Sequence, residues 1–279
     1  MHLVFDFDGT IATHDTLGAL VKGAARWQCQ RGRADPWPKW DGIEQQYFKE
    51  YADHKSGYSP KEVDRQTLEE ETKFLAASMA VEEASIQRVH DLGVFQDLDK
   101  DSLRQVGREA LRNGDIVIRA GFRETLALAK AHGWKTSVLS INWSQSFLQG
   151  ILETFDENGE LEVVANEIHA EDGTIRGPDM MEGTRMSCSP HKLSALRKVV
   201  GGASEANETV YYGDSTTDLE CVLFCTGVVM TPQPETSSLL KTLRRLGWNV
   251  AHASSTGPDT TRLCWAADFA AVLDGDVLK

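Results

Sequence analysis

The chain has 279 residues, enough for two domains or for one large domain carrying an insertion. Hydrophobic residues make up 41% and charged residues 25%, the balance of a soluble globular chain rather than of a disordered or fibrous one. The 29 Lys and Arg stand against 42 Asp and Glu, and a net charge of −13 repels nucleic-acid phosphates and anionic membrane surfaces, so neither is an expected partner.

No run of 18 apolar residues occurs, so no transmembrane helix is expected. Leu3-Val4-Phe5 leads straight into Asp6-Phe7-Asp8-Gly9-Thr10 with no basic and apolar leader before it, which makes a cytoplasmic location the expectation. The five cysteines, Cys29, Cys188, Cys221, Cys225 and Cys264, form an odd set without a Cys-x-x-Cys pair and fit a reducing compartment. Cys221 and Cys225 lie one helical turn apart and are expected to pack rather than to bind metal.

Taken in chain order, the first strand begins at about residue 2, and residues 16–112 then read as helices. Leu17, Leu20, Val21, Ala24 and Trp27 recur at helical spacing. Ser59-Pro60-Lys61-Glu62 has the form of a capping box with Pro at the first helical position. A Pro- and Trp-rich loop, Asp35 to Trp40, separates the first two helices. Leu103, Val106, Ala110 and Leu111 continue the helical pattern from Asp101 to Arg112, and Asn113-Gly114 ends it.

From residue 115 the pattern alternates. Ile116-Val117-Ile118 is apolar and β-branched, Phe122 to His132 is helical, and Thr136 to Leu139 reads as a buried strand. A helix over Trp143 to Thr154, a strand near Leu161 to Ala165, a helix from Pro190 to Val200 and a strand at Val210 to Tyr212 follow. The scheme repeats with a helix at Thr217 to Phe224, a strand at Val228 to Met230 and a helix from Glu235 to Leu246. In the last segment, Ala251 to Lys279, Trp265, Phe269 and Leu273 recur at four-residue spacing as packing positions. This order predicts an α/β fold with a mostly parallel sheet covered on both faces, and an all-helical insertion after its first strand.

Chemistry-bearing residues gather at predicted strand ends. Asp6 and Asp8, at i and i+2 of an extended backbone, point to the same side, which suits one carboxylate as nucleophile and the other as proton donor. The competing interpretation is an acidic turn that caps the next helix. Gly213-Asp214-Ser215-Thr216-Thr217-Asp218 follows another strand, where open α/β sheets bind ligands, although Asp218 alone could simply favour the helix dipole. Ser140-Ile141-Asn142 closes a third strand, ready to donate hydrogen bonds to an anion or to cap a helix. Lys192 sits in a first turn behind Ser189 as N-cap and Pro190, where a cation opposes the helix dipole and so suggests function.

These four pieces, in this order, resemble the motif set of the haloacid dehalogenase superfamily, with Asp6 and Asp8 as the first motif, Ser140 the second, Lys192 the third, and Asp214 and Asp218 the fourth. The resemblance covers residues 1–14 and 115–279 as a Rossmann-like three-layer catalytic core, and it makes 15–114 a helical C1-type cap. Thr10 to Thr16 is similar to the corresponding stretch of the phosphoserine-phosphatase-like branch. The resemblance implies a phosphatase that acts on a small phosphorylated metabolite through an aspartyl-phosphate on Asp6, with Asp8 as general acid and base.

It further implies Mg²⁺ held by the Asp6 and Asp214 carboxylates and the Asp8 backbone carbonyl, with Asp218 behind or bound through water, and phosphate oxygens held by Lys192, Ser140 and Asn142. The acid at position 8 argues against carbon–halogen cleavage, which has no alkoxide to protonate. A phosphotransferase or mutase using the same intermediate, and a binding protein that retains the fold, are the other readings. Cap residues Trp27, Trp37, Trp40, Tyr47 and Tyr51 could stack on a leaving group or pack the cap itself, beside basic Arg26, Arg31 and Arg33. His14 and His191 adjoin motif positions. Ser140 to Ser144 and Gly213 to Glu220 are similar to fungal and plant phosphatases of the superfamily, some fused to thiaminase-like domains, so phosphoserine and a vitamin phosphate such as thiamin monophosphate are both candidate substrates.

Overall fold

A computed structural model of the chain describes residues 1–156, 159–255 and 262–278, so part of the expected packing segment at 251–279 lies outside the described residues. Strand β1 (His2–Phe5) leads through a tight turn at Phe7–Ile11 into α1 (Leu17–Gln30), α2 (Trp40–Gly57), α3 (Leu68–Ala77), α4 (Met79–Leu92) and α5 (Lys100–Arg112). Then come α6 (Phe122–Ala131), β2 (Lys135–Leu139), α7 (Gln145–Leu152), β3 (Glu162–Val164) and a small antiparallel pair, β4 (Glu167–Ile168) and β5 (Ile175–Arg176). The chain continues through α8 (Ser189–Val200), α9 (Ala203–Ala206), β6 (Thr209–Gly213), α10 (Leu219–Phe224), β7 (Thr226–Met230), α11 (Ser238–Arg245), β8 (Ala251–His252), β9 (Leu263–Ala266) and α12 (Phe269–Leu273).

Seven strands form one sheet in the order β3-β2-β1-β6-β7-β9-β8, and every neighbouring pair is parallel. Strand β1 sits inside it, with Phe5 in register with Val138 of β2 and Tyr212 of β6. A strand covered on both faces must be apolar on both, and Leu3, Val4 and Phe5 are fully buried. Phe5 stacks on Tyr212 at 4.9 Å between ring centroids and meets the edges of Phe122 and Phe269, whereas Val4 faces the opposite layer with Leu139 and Tyr211. The chain winds from β1 toward β3 on one side and from β6 toward β8 on the other. The switch point between β1 and β6 is therefore where a ligand crevice opens at the carboxyl ends of the strands.

The helices between residues 15 and 114 do not all pack alike. In α3, Phe74 and Leu75 join the core layer that contains Val4 and Leu139, and the Glu71 carboxylate accepts hydrogen bonds from buried Arg65 at 2.7 Å and from Arg245 of α11 at 2.8 Å. Helix α5 lies against α7 at closest approach through Gly107 and Gly150, where an added Cβ would run into the backbone carbonyls of Phe147 and Arg104 respectively. Gly150→Ala is expected to lower stability by roughly 1–3 kcal/mol through overpacking, although alanine is the better helix former. Urea unfolding checks this, and an unchanged midpoint would show that the two helices can separate freely.

Several expectations change in the structure. Ser59-Pro60-Lys61-Glu62 opens no α-helix: Glu62 pairs with Lys55 at 2.7 Å, and residues 62–64 make a single 3₁₀ turn. The reciprocal capping box lies further on, between Thr67 and Glu70 at the start of α3. Ile116 to Ile118 forms no extended strand, since only Ile118 bridges, antiparallel, to Ala12. Ser189 is already inside α8, whose N-cap is Cys188. All five cysteines are free, and Cys221 and Cys225 are buried packing residues. Among the described residues no helix is long and apolar enough to cross a membrane.

Candidate active site

The three central strands each end in a polar residue. Asp6 follows β1, Ser140 follows β2 and Asp214 follows β6, so the parallel register brings them to one rim. The Asp6 backbone N–H still donates to the Tyr212 carbonyl at 2.8 Å, extending the ladder one step beyond the strand. Gly9 takes a φ of +71°, and a Cβ there would collide with the Asp214 carboxylate. Glycine thus permits both the turn and the close approach of the first and fourth motifs.

Lys192 reaches this rim from α8 with no solvent exposure. Its Nζ donates to Asp6 Oδ1 and to Asp218 Oδ1, each at 2.6 Å. Burial works against its charge, but Asp218 and Asp6 outweigh that and keep the ammonium protonated well above the ordinary lysine range. The remaining capacity of Asp218 is taken up by the Tyr211 hydroxyl at 2.7 Å and by the backbone N–H groups of Asp214 and Ser215 at 3.1 Å. The bond to Ser215 belongs to a capping box, so the favourable helix-start chemistry and the bond to Lys192 coexist in one side chain.

Asp6 is buried, and that burial together with the neighbouring Asp218 carboxylate pushes its carboxyl well above the usual range, against the pull of Lys192. Burial and Asp218 push Asp214 up to about 7. At both acids, burial and the neighbouring Asp218 carboxylate outweigh the pull of Lys192. Carboxylate oxygens of Asp6, Asp214 and Asp218 lie within 4.8 Å of one another, an all-oxygen set that fits a hard divalent cation. With Asp218 committed to five donors, Asp6 and Asp214 are the members with lone pairs to offer.

Asp8 is held apart from that set. Its Oδ1 accepts from the Thr16 N–H at 2.7 Å and the Thr16 hydroxyl at 2.5 Å, and its Oδ2 accepts from Asn142 Nδ2 at 2.9 Å. Burial raises its carboxyl, and the bonds from Thr16 and Asn142 pull it back down. Asn142 therefore orients Asp8, while Ser140 Oγ accepts from the Asn142 N–H at 3.0 Å. Neither residue caps α7: Ser144 does, through the Phe147 N–H. The loop is fixed from below by Asn166, whose Nδ2 donates to the carbonyls of Ile141, Asn142 and Met186.

Sequence reasoning had singled out no role for Thr16, Arg119 or Tyr211. The Arg119 guanidinium donates to the carbonyls of Gly9, Thr10 and Ala267, tying the Asp8-Gly9-Thr10 turn to the segment after β9. The only available signals were a hydroxyl just before α1, a tyrosine in a strand buried on both faces, and an arginine after an apolar run.

A cavity of about 390 Å³ contains Asp6, Asp8, Ser140, Asn142 and Asp214 on the strand side, and Leu17, Glu82 and Ile86 from α1 and α4 face them. His14 lines it as well, whereas His191 lies away from it beside Arg185. Trp40 is spent on an edge contact with Trp143 at 6.2 Å. Arg31 lies over the Trp27 ring at 3.3 Å, Arg33 pairs with Asp97, and Arg26 is 3.8 Å from Asp115.

The described fold is similar to solved structures at low sequence identity. A phosphoserine phosphatase in apo form aligns at 16% identity and a TM-score of 0.50, with 98% of this chain and 96% of that one covered. A protein of unknown function from Bordetella pertussis Tohama I aligns at 14% identity and 0.52, covering 89% and 96%. Cytosolic 5′-nucleotidase IIIB bound to cytidine aligns at 14% and 0.50, covering 82% and 72%. No curated protein sequence matches the chain significantly. The model of the haloacid dehalogenase-like hydrolases matches residues 3–222, from the first strand to beyond the fourth acidic motif, and the chain belongs to that family.

Proposed function

We propose that the chain is a Mg²⁺-dependent phosphomonoesterase acting on a small phosphorylated metabolite through an aspartyl-phosphate on Asp6. The observation that carries this reading is the division of labour between two acids in one cavity. Asp6 is bonded to a buried ammonium and adjoins Asp214, whereas Asp8 is turned toward Thr16 and Asn142.

Asp6 attacks phosphorus and the ester P–O bond breaks, which replaces one hard displacement with two easier ones. Asp8 gives its proton to the departing alkoxide, then takes one from the water that cleaves the acyl-phosphate. Lys192 and Ser140 hold phosphate oxygens, and Thr16 and Asn142 keep Asp8 in place for both proton transfers. The Asp6 and Asp214 carboxylates and the Asp8 backbone carbonyl would hold a Mg²⁺ ion, which would supply positive charge to the phosphate oxygens. Helices between residues 15 and 114 serve as the cap that keeps bulk water away. Five free cysteines support a cytoplasmic location.

The test is phosphate release from p-nitrophenyl phosphate, with Mg²⁺ and after chelation. Release in Mg²⁺ that drops by about 100-fold on chelation is expected, given the charge that the ion neutralises. Equal release with chelator would overturn the proposal.

A further inference from the structure

We infer that the alcohol released from the substrate carries a positive charge and no carboxylate, and that Glu82 is the residue that selects it; this rests on the phosphomonoesterase reading above. The cavity has two chemically distinct ends. Its strand end holds Asp6, Asp8 and Asp214, with Lys192 buried behind Asp6, and that is where a phosphate belongs. Its cap end presents the Glu82 carboxylate beside Ile86, near Trp143 and the Ser187 backbone stretch.

Glu82 Oε1 is fixed by the Tyr47 hydroxyl at 2.7 Å, and Tyr47 is in turn stacked on Tyr51. Among the described residues Glu82 has no cationic partner, unlike its neighbour Glu83, which pairs with Arg185. Burial raises the Glu82 carboxyl, as expected for a carboxylate in want of a countercharge. Ser187, also lining this cavity and 7% exposed, has a hydroxyl with no hydrogen-bond partner, a second polar group left to be satisfied.

Among the described residues no Lys or Arg lines the cavity. Several basic residues of the helices between residues 15 and 114 are engaged elsewhere: Arg33 with Asp97, Arg88 with Glu50, and Arg31 over Trp27. A substrate carboxylate would therefore meet Glu82 and Asp15 with no Lys or Arg to balance it, and like charges in a confined site disfavour binding. An ammonium meets the carboxylate of Glu82 directly, and its alkyl substituents meet Ile86 and the indole of Trp143. The substrate class is thus a phosphorylated amino alcohol.

The experiment compares phosphocholine with 3,3-dimethylbutyl phosphate, which has the same shape without the charge, and phosphoethanolamine with phosphoserine, which adds a carboxylate. In Mg²⁺, kcat/KM is expected to favour phosphocholine and phosphoethanolamine by tenfold or more, and Glu82→Gln is expected to cut both preferences below threefold. Calorimetric affinities of the same four esters for the Asp6→Asn chain form a second arm that needs no turnover. Absence of hydrolysis of every ester, with the calorimetric preference intact, would overturn the hydrolase reading and leave the cation site standing. Equal or reversed preferences in the wild type, or preferences that survive in Glu82→Gln, would overturn the selection by Glu82.

Discussion

Asp6→Asn will abolish phosphate release while leaving the protein folded. An amide cannot form the acyl-phosphate, so kcat is expected to fall roughly 10⁴-fold or more, the scale seen when a covalent nucleophile is removed. Stability runs the other way. The Asp6 carboxyl is held well above its usual range by burial and by Asp218, so in the metal-free protein its ionised form costs folding energy at neutral pH. The neutral amide removes that cost while its carbonyl oxygen can still accept from Lys192, which also keeps the bond to Asp218. Thermal unfolding without metal should therefore show a midpoint no lower than that of the wild type, alongside the lost turnover. A variant that keeps activity within tenfold would rule out Asp6 as nucleophile. A variant that is inactive because it has unfolded would contradict the charge argument instead.

Much of the arrangement could be read before the structure because a doubly covered parallel sheet leaves a strong mark. Leu3-Val4-Phe5, Thr136 to Leu139 and Val210 to Tyr212 are short apolar runs with a polar residue at the carboxyl end, and the structure places those ends side by side. What stayed hidden depends on long-range pairing. Arg119 reaches Thr10 across 109 positions, and Asn142 reaches Asp8 across 134, so no local pattern links them. Strands β4 and β5 are two residues each, too short for alternation to register. At the C-terminal end, Trp265, Phe269 and Leu273 share a four-residue spacing, yet Trp265 belongs to β9 and the others to α12. All three do pack, but Phe269 and Leu273 join the layer that holds Phe5, whereas Trp265 joins the layer that holds Val4.

Lys192→Met is expected to be the most destabilising substitution at the site, and the loss should grow with pH. Replacing every member of a buried ionic cluster by apolar groups can be neutral, but removing one partner strands the others, at a cost of about 3–5 kcal/mol. Here the methionine would leave Asp6 without its side-chain donor, while Asp218 retains the Tyr211 and Ser215 hydroxyls and two backbone N–H groups. Lys192 is the group that lowers the raised carboxyls of Asp6 and Asp214, so without it their folded-state values rise further above the unfolded ones. A carboxyl raised in the folded state binds its proton more tightly there, so its ionisation takes stability away as pH climbs from the unfolded value through the folded one. Urea unfolding in chelator should thus show a deficit relative to wild type that is smaller at pH 5.5 than at pH 8. Added Mg²⁺ should recover part of the deficit at pH 8, since its charge replaces some of what the ammonium provided. Turnover at pH 8 should still fall by roughly 10²–10³-fold, because the cation aimed at the phosphate oxygens is gone. Equal stability of variant and wild type at both pH values would mean that the ammonium is not what holds these carboxylates together.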